Sequence, residues 1–260
     1  MIFILGSGGF VGTAFCEACV ETGILHQGID RENYDEFKGR CCETLIFAAG
    51  NSKKYLAGEN PLLDFELSVC SVAKSLFDFK FRKYVHISSV AVYGNHSDPV
   101  RNHEGSPLDI GSQSVYGFHK RLAEELVMRH CDDWLVLRLG GMVGERMSKG
   151  PVFDILRGIP LRFHPMSRFQ FLNTGDMARL VLKMLDAGCS REIFNVCGRG
   201  TITLRKILEL AGRAEDNDLQ VETWNVSTDK THGRFGLPTT EETIRGFISR
   251  LNLRPAGKRK

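Results

Sequence analysis

The chain has 260 residues, of which 42% are hydrophobic and 25% charged, so it is long and apolar enough to bury a substantial core. Its formal net charge is only +3, which excludes the broad basic surface typical of nucleic-acid binding, and no apolar run approaches the ~20 residues needed to cross a bilayer. We therefore expect a folded protein whose partner is a small-molecule substrate, with neither nucleic acid nor membrane as a partner.

Short apolar runs alternate with amphipathic segments along the chain, which is the pattern of buried strands and covering helices. This alternation predicts an α/β fold with a Rossmann-like, doubly wound parallel sheet. The predicted strands are residues 2–5, 24–29, 44–48, 83–88, 134–139 and 193–196, and the predicted helices are residues 11–22, 33–38, 61–77, 116–129, 174–187 and 204–211. Only thirteen residues, 31–43, separate the second strand from the third. Because a further strand and helix need more chain than this, we expect one strand of the common pattern to be missing.

The pattern becomes irregular after residue 144, which bears on how the chain is divided. We predict a dinucleotide-binding domain from residues 1–144, to which residues 172–200 return. A small C-terminal substrate-binding lobe is predicted from residues 145–171 and 201–255, and residues 256–260 are predicted to be a disordered tail.

The amino-terminal residues and the cysteines bear on the compartment. Residues 1–5 run directly into glycines and lack the charged and longer apolar regions of a signal peptide. The eight cysteines, including the pair Cys16 and Cys19, are therefore predicted to be reduced thiols and not a disulfide framework or a metal site. We expect a cytoplasmic protein without a metal site.

A glycine-rich turn joins the first predicted strand to the first predicted helix. Backbone N–H groups and the helix dipole both face an anion at such a junction, and glycine permits positive φ and close approach of phosphates. The spacing here is Gly-x-x-Gly-x-x-Gly, which predicts a pyrophosphate site. The predicted dinucleotide-binding residues of this turn are Gly6, Gly9, Phe10, Val11 and Gly12.

Asp30 lies eighteen residues after Gly12, at the end of the second predicted strand. A carboxylate at this place can accept hydrogen bonds from the adenosine ribose hydroxyls, which favours NAD as the cofactor. The adjacent Arg31 could instead bind a 2′-phosphate. NADP therefore stays open as the alternative cofactor.

Tyr116 and Lys120 stand at positions i and i+4 of a predicted helix and share one of its faces. A nearby ammonium lowers the pKa of a phenol, which can then exchange a proton with a substrate hydroxyl or carbonyl. The segment Ser88-Ser89-Val90-Ala91-Val92-Tyr93-Gly94 follows the 83–88 strand. The carboxyl ends of parallel strands lie at one edge of the sheet, where active sites of this fold class are found. The segment at such an end therefore supports a catalytic role for Tyr116 and Lys120.

The ordered motifs resemble those of the extended short-chain dehydrogenases, the NAD-dependent epimerase/dehydratase family. Shorter stretches resembling the same family are Arg138-Leu139-Gly140-Gly141-Met142-Val143-Gly144 and Phe194-Asn195-Val196-Cys197-Gly198. The main motifs, in chain order, are Gly6-x-x-Gly9-x-x-Gly12, Asp30, Ala48-Ala49-Gly50, Ser88 to Gly94 and Tyr116-x-x-x-Lys120.

The resemblance implies a role for each matching residue. Tyr116 would be the general acid and base, Lys120 would lower its pKa and bind the nicotinamide ribose, and Ser89 would hydrogen-bond the reacting oxygen. Ser88 is the nearest rival to Ser89, and His119 receives no catalytic role. The residues that the resemblance adds to the cofactor site are Ala48, Ala49, Gly50, Ser88, Tyr116 and Lys120.

The implied reaction is hydride transfer at a hydroxyl or ketone carbon of a sugar or sugar nucleotide. An epimerase returns the hydride to the opposite face, whereas a reductase releases product after one transfer. Val90 and Ala91 stand where 4,6-dehydratases of the family carry Asp and Glu, so dehydration is disfavoured. A second function class stays open, a non-catalytic NAD(H)-binding sensor or scaffold.

Other departures from the family pattern concern the substrate and the assembly. Gly141 replaces an asparagine, Phe169 replaces an arginine, and Ser68 replaces an asparagine of the long helix, which puts a full nucleotide-sugar site in question. The family commonly dimerises through two long helices, which correspond to residues 61–77 and 116–129. We expect a homodimer.

Overall fold

Six parallel strands form the central sheet of the computed structural model, which describes residues 1–252. The strand order is β2-β1-β3-β4-β5-β9, and all neighbours are parallel. The predicted α/β fold with a Rossmann-like sheet is confirmed. The sheet strands are β1 (Ile2–Leu5), β2 (His26–Ile29), β3 (Cys41–Phe47), β4 (Lys80–Ser89), β5 (Trp134–Leu139) and β9 (Glu192–Val196).

Helices cover both faces of this sheet. The long helix predicted for residues 61–77 contains a π turn at Glu66–Cys70, which divides it into two α segments. The helices up to β9 are α1 (Phe10–Glu21), α2 (Tyr34–Phe37), α3 (Lys54–Glu59), α4 (Pro61–Phe65), α5 (Ser71–Asp78), α6 (Val115–His130), α7 (Pro151–Arg157) and α8 (Thr174–Asp186).

The edge at β2 confirms the expected missing strand. Only the four-residue helix α2 lies between β2 and β3, and within residues 1–252 no strand pairs with the outer side of β2. In register, Leu5 of β1 lies opposite Ile29 of β2 and Phe47 of β3. The carboxyl ends of these three strands are therefore level, and the loops that leave them share one edge of the sheet.

Two apolar cores lie on opposite faces of the sheet because successive side chains of a strand alternate between its faces. Ile4 and Ile46 point to the face covered by α1 and α8, while Phe3 and Leu45 point to the face covered by α5 and α6. The strands are thus apolar on both sides, as expected for a sheet buried between two helical layers.

A third core lies in the carboxyl-terminal part of the chain. It contains Val152 and Ile155 of α7 together with residues of later helices, among them Leu204 and Phe247. The division into a dinucleotide-binding domain and a substrate lobe stays a prediction. The remaining elements are β6 (Gly141–Val143), β7 (Arg168–Phe169), β8 (Phe171–Asn173), β10 (Ile202–Thr203), α9 (Leu204–Leu210), α10 (Asp229–Phe235) and α11 (Thr240–Asn252).

Several short elements after residue 144 were not predicted, because strands of two or three residues are too short to display a period. The predicted tail, residues 256–260, lies outside the described residues. No helix between residues 1 and 252 combines the length and the apolar content needed to span a membrane.

Candidate active site

The glycine turn after β1 is closely packed against its surroundings. Gly6 has φ +79°, and a methyl group added there would lie 2.8 Å from the Cα of Ala49. A methyl group on Gly12 would lie 2.0 Å from the carbonyl oxygen of Gly6. Gly9 is the N-cap of the twelve-residue helix α1, and Phe10 and Val11 form its first turn. The turn therefore places bare backbone at a helix N-terminus, an arrangement that fits a pyrophosphate.

Asp30 lies directly beside this turn. Its carboxylate accepts hydrogen bonds from the Ser7 hydroxyl at 2.5 Å and from the backbone N–H of Gly8 at 3.0 Å. Arg31 is exposed at the surface next to it. The carboxylate is thus fixed at the edge of the cradle, where the predicted ribose contact needs it.

We expect calorimetry to show that the wild type prefers NAD to NADP and that Asp30→Ala weakens NAD binding about tenfold or more. A hydrogen bond to a charged acceptor contributes about 1.5–3 kcal/mol, and about 1.4 kcal/mol is a factor of ten. The substitution should also reduce the difference in affinity between NAD and NADP. Asp35→Ala is the matched control because Asp35 is an exposed carboxylate on the neighbouring helix α2, paired with Lys38. Tighter binding of NADP by the wild type would reverse this assignment.

The loop after β3 lies between the glycine turn and α6, the helix that carries Tyr116 and Lys120. Ala48 donates its backbone N–H to the carbonyl oxygen of Leu5, and Ala49 packs on Gly6. Gly50 has φ +100°, and a methyl group there would lie 3.1 Å from the carbonyl oxygen of Leu67 and 3.9 Å from Lys120 Nζ. The predicted cofactor residues 48–50 and Lys120 therefore border the same space.

Ser89, Tyr116 and Lys120 come together at the end of β4 and the start of α6, and all three are buried. Ser89 lies close enough to Tyr116 for its hydroxyl to lower the pKa of the phenol, and its Oγ accepts the N–H of Ala91 at 3.2 Å. Lys120 Nζ lies 5.9 Å from the centre of the Tyr116 ring and 3.4 Å from the carbonyl oxygen of Ile87. The sequence thus identified three side chains that the fold places side by side.

The ionisation of this group differs from the expected pattern. Burial and the nearby Asp64 carboxylate raise the pKa of Tyr116, while the hydrogen bond from Ser89 opposes the increase. Burial lowers the pKa of Lys120 to about 8, and Asp64 and Glu124 raise it in part. Of Tyr116 and Lys120, it is therefore Lys120 whose pKa lies nearer to neutral pH.

Ser88 points away from the other predicted catalytic residues. Its hydroxyl donates to Glu124 of α6, which forms a buried ion pair of 2.8 Å with Arg138. Arg138 also donates to the hydroxyl of Tyr93 at 3.0 Å, and Tyr93 donates to Asn195 at 3.0 Å. Because this network occupies the Ser88 hydroxyl, Ser89 is the serine available to a reacting group. The same network joins Tyr93 to the Arg138 and Asn195 stretches.

Two features near Tyr116 were missed in the sequence. The first is Trp224, which packs beside Tyr116 and Ala91 and stacks on His96 with ring centres 3.6 Å apart. The ammonium of Lys54 lies 3.5 Å from the centre of the Trp224 ring, although Lys54 as a residue is exposed. No motif spacing could have indicated this contact, because Trp224 is more than one hundred residues away from Tyr116 in the sequence.

The second missed feature is Asp64, whose side chain has no exposed surface. It accepts hydrogen bonds from Asn51 at 2.6 Å and from His119 at 2.7 Å. A signal was present, since a charged residue interrupts the apolar residues 61–65 at the start of the predicted 61–77 helix.

Comparison with known proteins identifies the family. The sequence model of the NAD dependent epimerase/dehydratase family matches residues 2–197. The chain belongs to this family. Membership confirms the family predicted from the motifs and, with it, an enzyme class that uses NAD. A search of curated proteins gave no match.

Solved structures of several proteins, among them two sugar-nucleotide epimerases, have the same fold as this chain. UDP-glucose 4-epimerase from Thermus thermophilus, in complex with NAD, has a TM-score of 0.77 at 21% identity over 98% of this chain and 99% of its own. UDP-glucuronic acid 4-epimerase from Bacillus cereus has a TM-score of 0.78 at 17% identity, covering 96% and 99%. RMD from Pseudomonas aeruginosa, complexed with NADPH, has a TM-score of 0.74 at 17% identity, covering 95% and 97%.

Proposed function

We propose that the protein catalyses hydride transfer at a hydroxyl or ketone carbon of a sugar or sugar nucleotide, as an NAD-dependent epimerase or reductase. The observation that carries this proposal is the meeting of Ser89, Tyr116 and Lys120 beside the loop of residues 48–50. A non-catalytic NAD(H) sensor does not require a tyrosine, a serine and a lysine placed together in this way.

In this reaction the carbon that bears the hydroxyl loses a hydride and the hydroxyl oxygen loses a proton, which leaves a ketone. Bound NAD supplies the acceptor and donor of the hydride. Tyr116 accepts the proton from the hydroxyl oxygen and returns it when the ketone is reduced. Ser89 donates a hydrogen bond to the same oxygen, and Lys120 supplies a positive charge that favours the phenolate. The glycine turn and Asp30 hold the dinucleotide in place.

Dehydration is disfavoured by the residues that follow Ser89. Val90 and Ala91 are buried and apolar, so neither can protonate a leaving hydroxyl. Epimerisation and simple reduction need no such acid. They therefore remain as the two reactions of the proposal.

The solved structures that share the fold support a sugar or sugar nucleotide as the substrate, since two of them are UDP-sugar 4-epimerases. One subsite differs from the family pattern, however. A side chain larger than hydrogen at Gly141 would lie 2.6 Å from the Phe171 ring, so the asparagine usual at this position could not be accommodated without movement. Any diphosphate must consequently be bound by other groups.

A substrate screen tests the proposal. Sugars and nucleotide sugars are incubated with the protein and NAD(H), and both the change in NADH absorbance and the appearance of a 4-epimer are followed. We expect at least one of the two signals for the wild type. The absence of both, with dinucleotide binding intact, would favour the sensor or scaffold function.

A homodimer is a further expected result, formed by the helical segment of residues 61–78 and α6. On the first of these, Leu62 is 68% and Phe77 is 74% exposed, so both apolar side chains are available to a partner subunit. Light scattering should give the mass of a dimer, and Leu62→Glu with Phe77→Glu should give a monomer. Leu25→Glu is the control, because Leu25 is 71% exposed but lies before β2. A monomeric wild type at micromolar concentration would contradict the expectation.

A further inference from the structure

Asp64 of α4 is a fully buried carboxylate with three hydrogen-bond donors from three segments. Oδ1 accepts from Nδ2 of Asn51 at 2.6 Å and from the hydroxyl of Ser68 at 3.3 Å. Oδ2 lies 2.7 Å from Nδ1 of His119, which must carry the hydrogen because an ionised carboxylate only accepts. Burial of a carboxylate is costly unless its oxygens are satisfied, and here both oxygens are.

The three donors belong to segments that border the candidate active site. Asn51 follows Gly50 directly, and its Oδ1 also accepts the N–H of Lys53 at 2.7 Å, so the loop at the cofactor side is fixed to Asp64. His119 lies in α6 between Tyr116 and Lys120. Ser68 lies in the π turn, and π turns inside helices are frequent at functional sites.

The negative charge of Asp64 also acts on Tyr116 and Lys120, although Asp64 forms no direct ion pair with Lys120. Among residues 1–252, no carboxylate lies within 4.0 Å of Lys120 Nζ. The ionisable groups that face Lys120 are Asp64, Glu124, Tyr116 and His86. Glu124 is paired with Arg138, and burial together with Lys120 keeps the pKa of His86 well below its ordinary value, which leaves His86 neutral. Asp64 is thus the carboxylate near Lys120 that forms no ion pair with a lysine or an arginine of residues 1–252; its ring partner is His119.

We propose that Asp64 is a positioning residue of the active site, which joins the Gly50 loop to the catalytic helix through Asn51 and His119 and places a negative charge opposite Lys120. His119 acts as the hydrogen-bonding link on the catalytic helix and not as a proton shuttle. The catalytic part of this inference rests on the proposed function, whereas the electrostatic part concerns the folded protein alone.

Asp64→Asn tests the electrostatic part without any substrate. Asparagine keeps the shape, and its amide can still pair with Asn51, Ser68 and the other tautomer of His119, so folding should be preserved. The titration of Lys120 is followed by NMR of its labelled ε-carbon, assigned with Lys120→Met. Because an opposite charge is removed, we expect the titration midpoint of Lys120 to move downward by about one pH unit. An unchanged midpoint would overturn the proposal, even if no substrate is known.

The same variant should change the pH profile of turnover. Lys120 must be charged to act, so activity is present below its pKa of about 8 in the wild type and is lost as the pH rises through that value. In Asp64→Asn the alkaline limb should move down by about one pH unit, which lowers turnover about fivefold at pH 8 and approaches about tenfold at higher pH. Asp78→Asn is the matched control, because Asp78 is a half-buried carboxylate bonded to Tyr34 at the far end of α5.

Two substitutions of His119 distinguish a link from a proton shuttle. The amide nitrogen of asparagine can replace Nδ1, so His119→Asn should keep at least half of the wild-type turnover and the wild-type pH profile. His119→Leu leaves an oxygen of Asp64 without its donor and should lower turnover about tenfold or more. Equal losses in both variants would show that the titrating imidazole is required, and wild-type behaviour in both would show that the link is not needed. Either result would overturn the role given to His119.

Discussion

Tyr116→Phe is expected to lower turnover by about 10²- to 10⁴-fold, the usual contribution of general acid and base catalysis. The substitution removes only the hydroxyl that Ser89 contacts, and the ring can stay between Ala57 and Ala91. Affinity for NAD, measured by calorimetry, should therefore remain within about twofold of the wild type. Steady-state rates with the substrate found by screening supply the second measurement.

Substitutions of the two neighbouring residues should give different results from Tyr116→Phe. Lys120→Ala should lower both turnover and NAD affinity, because it removes the charge that borders Gly50 as well as the partner of the phenol. Ser89→Ala should lie between the wild type and Tyr116→Phe, since the proton path remains. A Tyr116→Phe variant with nearly full activity would exclude this phenol as the catalytic base.

Gly12→Ala is expected to have the largest effect on the cofactor cradle. The added methyl group would lie 2.0 Å from the backbone oxygen of Gly6, so either the turn or helix α1 must move. Overpacking of this kind costs about 1–3 kcal/mol, and about 1.4 kcal/mol corresponds to a factor of ten in binding. We expect a lower Tm and NAD affinity reduced about tenfold or more, measured by thermal unfolding and calorimetry.

Gly246→Ala is the control for this experiment. Gly246 also lies within a helix, α11, but a methyl group there would meet no atom within 4 Å among the described residues. Alanine is the better helix former by about 1 kcal/mol, so this variant should be at least as stable as the wild type. If Gly12→Ala behaved like Gly246→Ala, the close packing of the turn would not govern NAD binding.

The central fold was predictable because its signals are local. Each sheet strand is an apolar run, and the glycine spacing with Asp30 and the Tyr116-Lys120 pair are patterns within short segments. The missing strand was predictable from chain length alone, since only residues 31–43 were available. Strand ends were harder to predict because polar residues such as Lys80 extend the ladder beyond the apolar part.

The surroundings of the catalytic group were not predictable, because they depend on contacts between distant segments. Trp224 reaches Tyr116 through β7, where its backbone N–H donates to Arg168 at 2.8 Å. Asp64 and His119 are fifty-five residues apart, and neither fits a motif. The i and i+4 spacing also gave no indication that burial and the Asp64 charge would raise the pKa of Tyr116.

Within residues 1–252 no strand lies beyond β2, and this has a consequence for the behaviour of the protein at high concentration. An edge strand normally offers free carbonyl and N–H groups, to which a strand of another molecule can add. Here the side chains of Gln27 and Asn33 both donate to the outward carbonyl of Gly28, at 2.8 and 3.2 Å.

The opposite edge of the sheet, at β9, is closed in the same way. Lys230 donates to the carbonyl oxygen of Ile193 at 2.8 Å, and Thr231 donates to that of Asn195 at 2.8 Å. Glu104 accepts the backbone N–H of Asn195 at 2.8 Å. A sheet reduced to six strands therefore ends on both sides in side chains of its own molecule, which protects it from edge-to-edge aggregation.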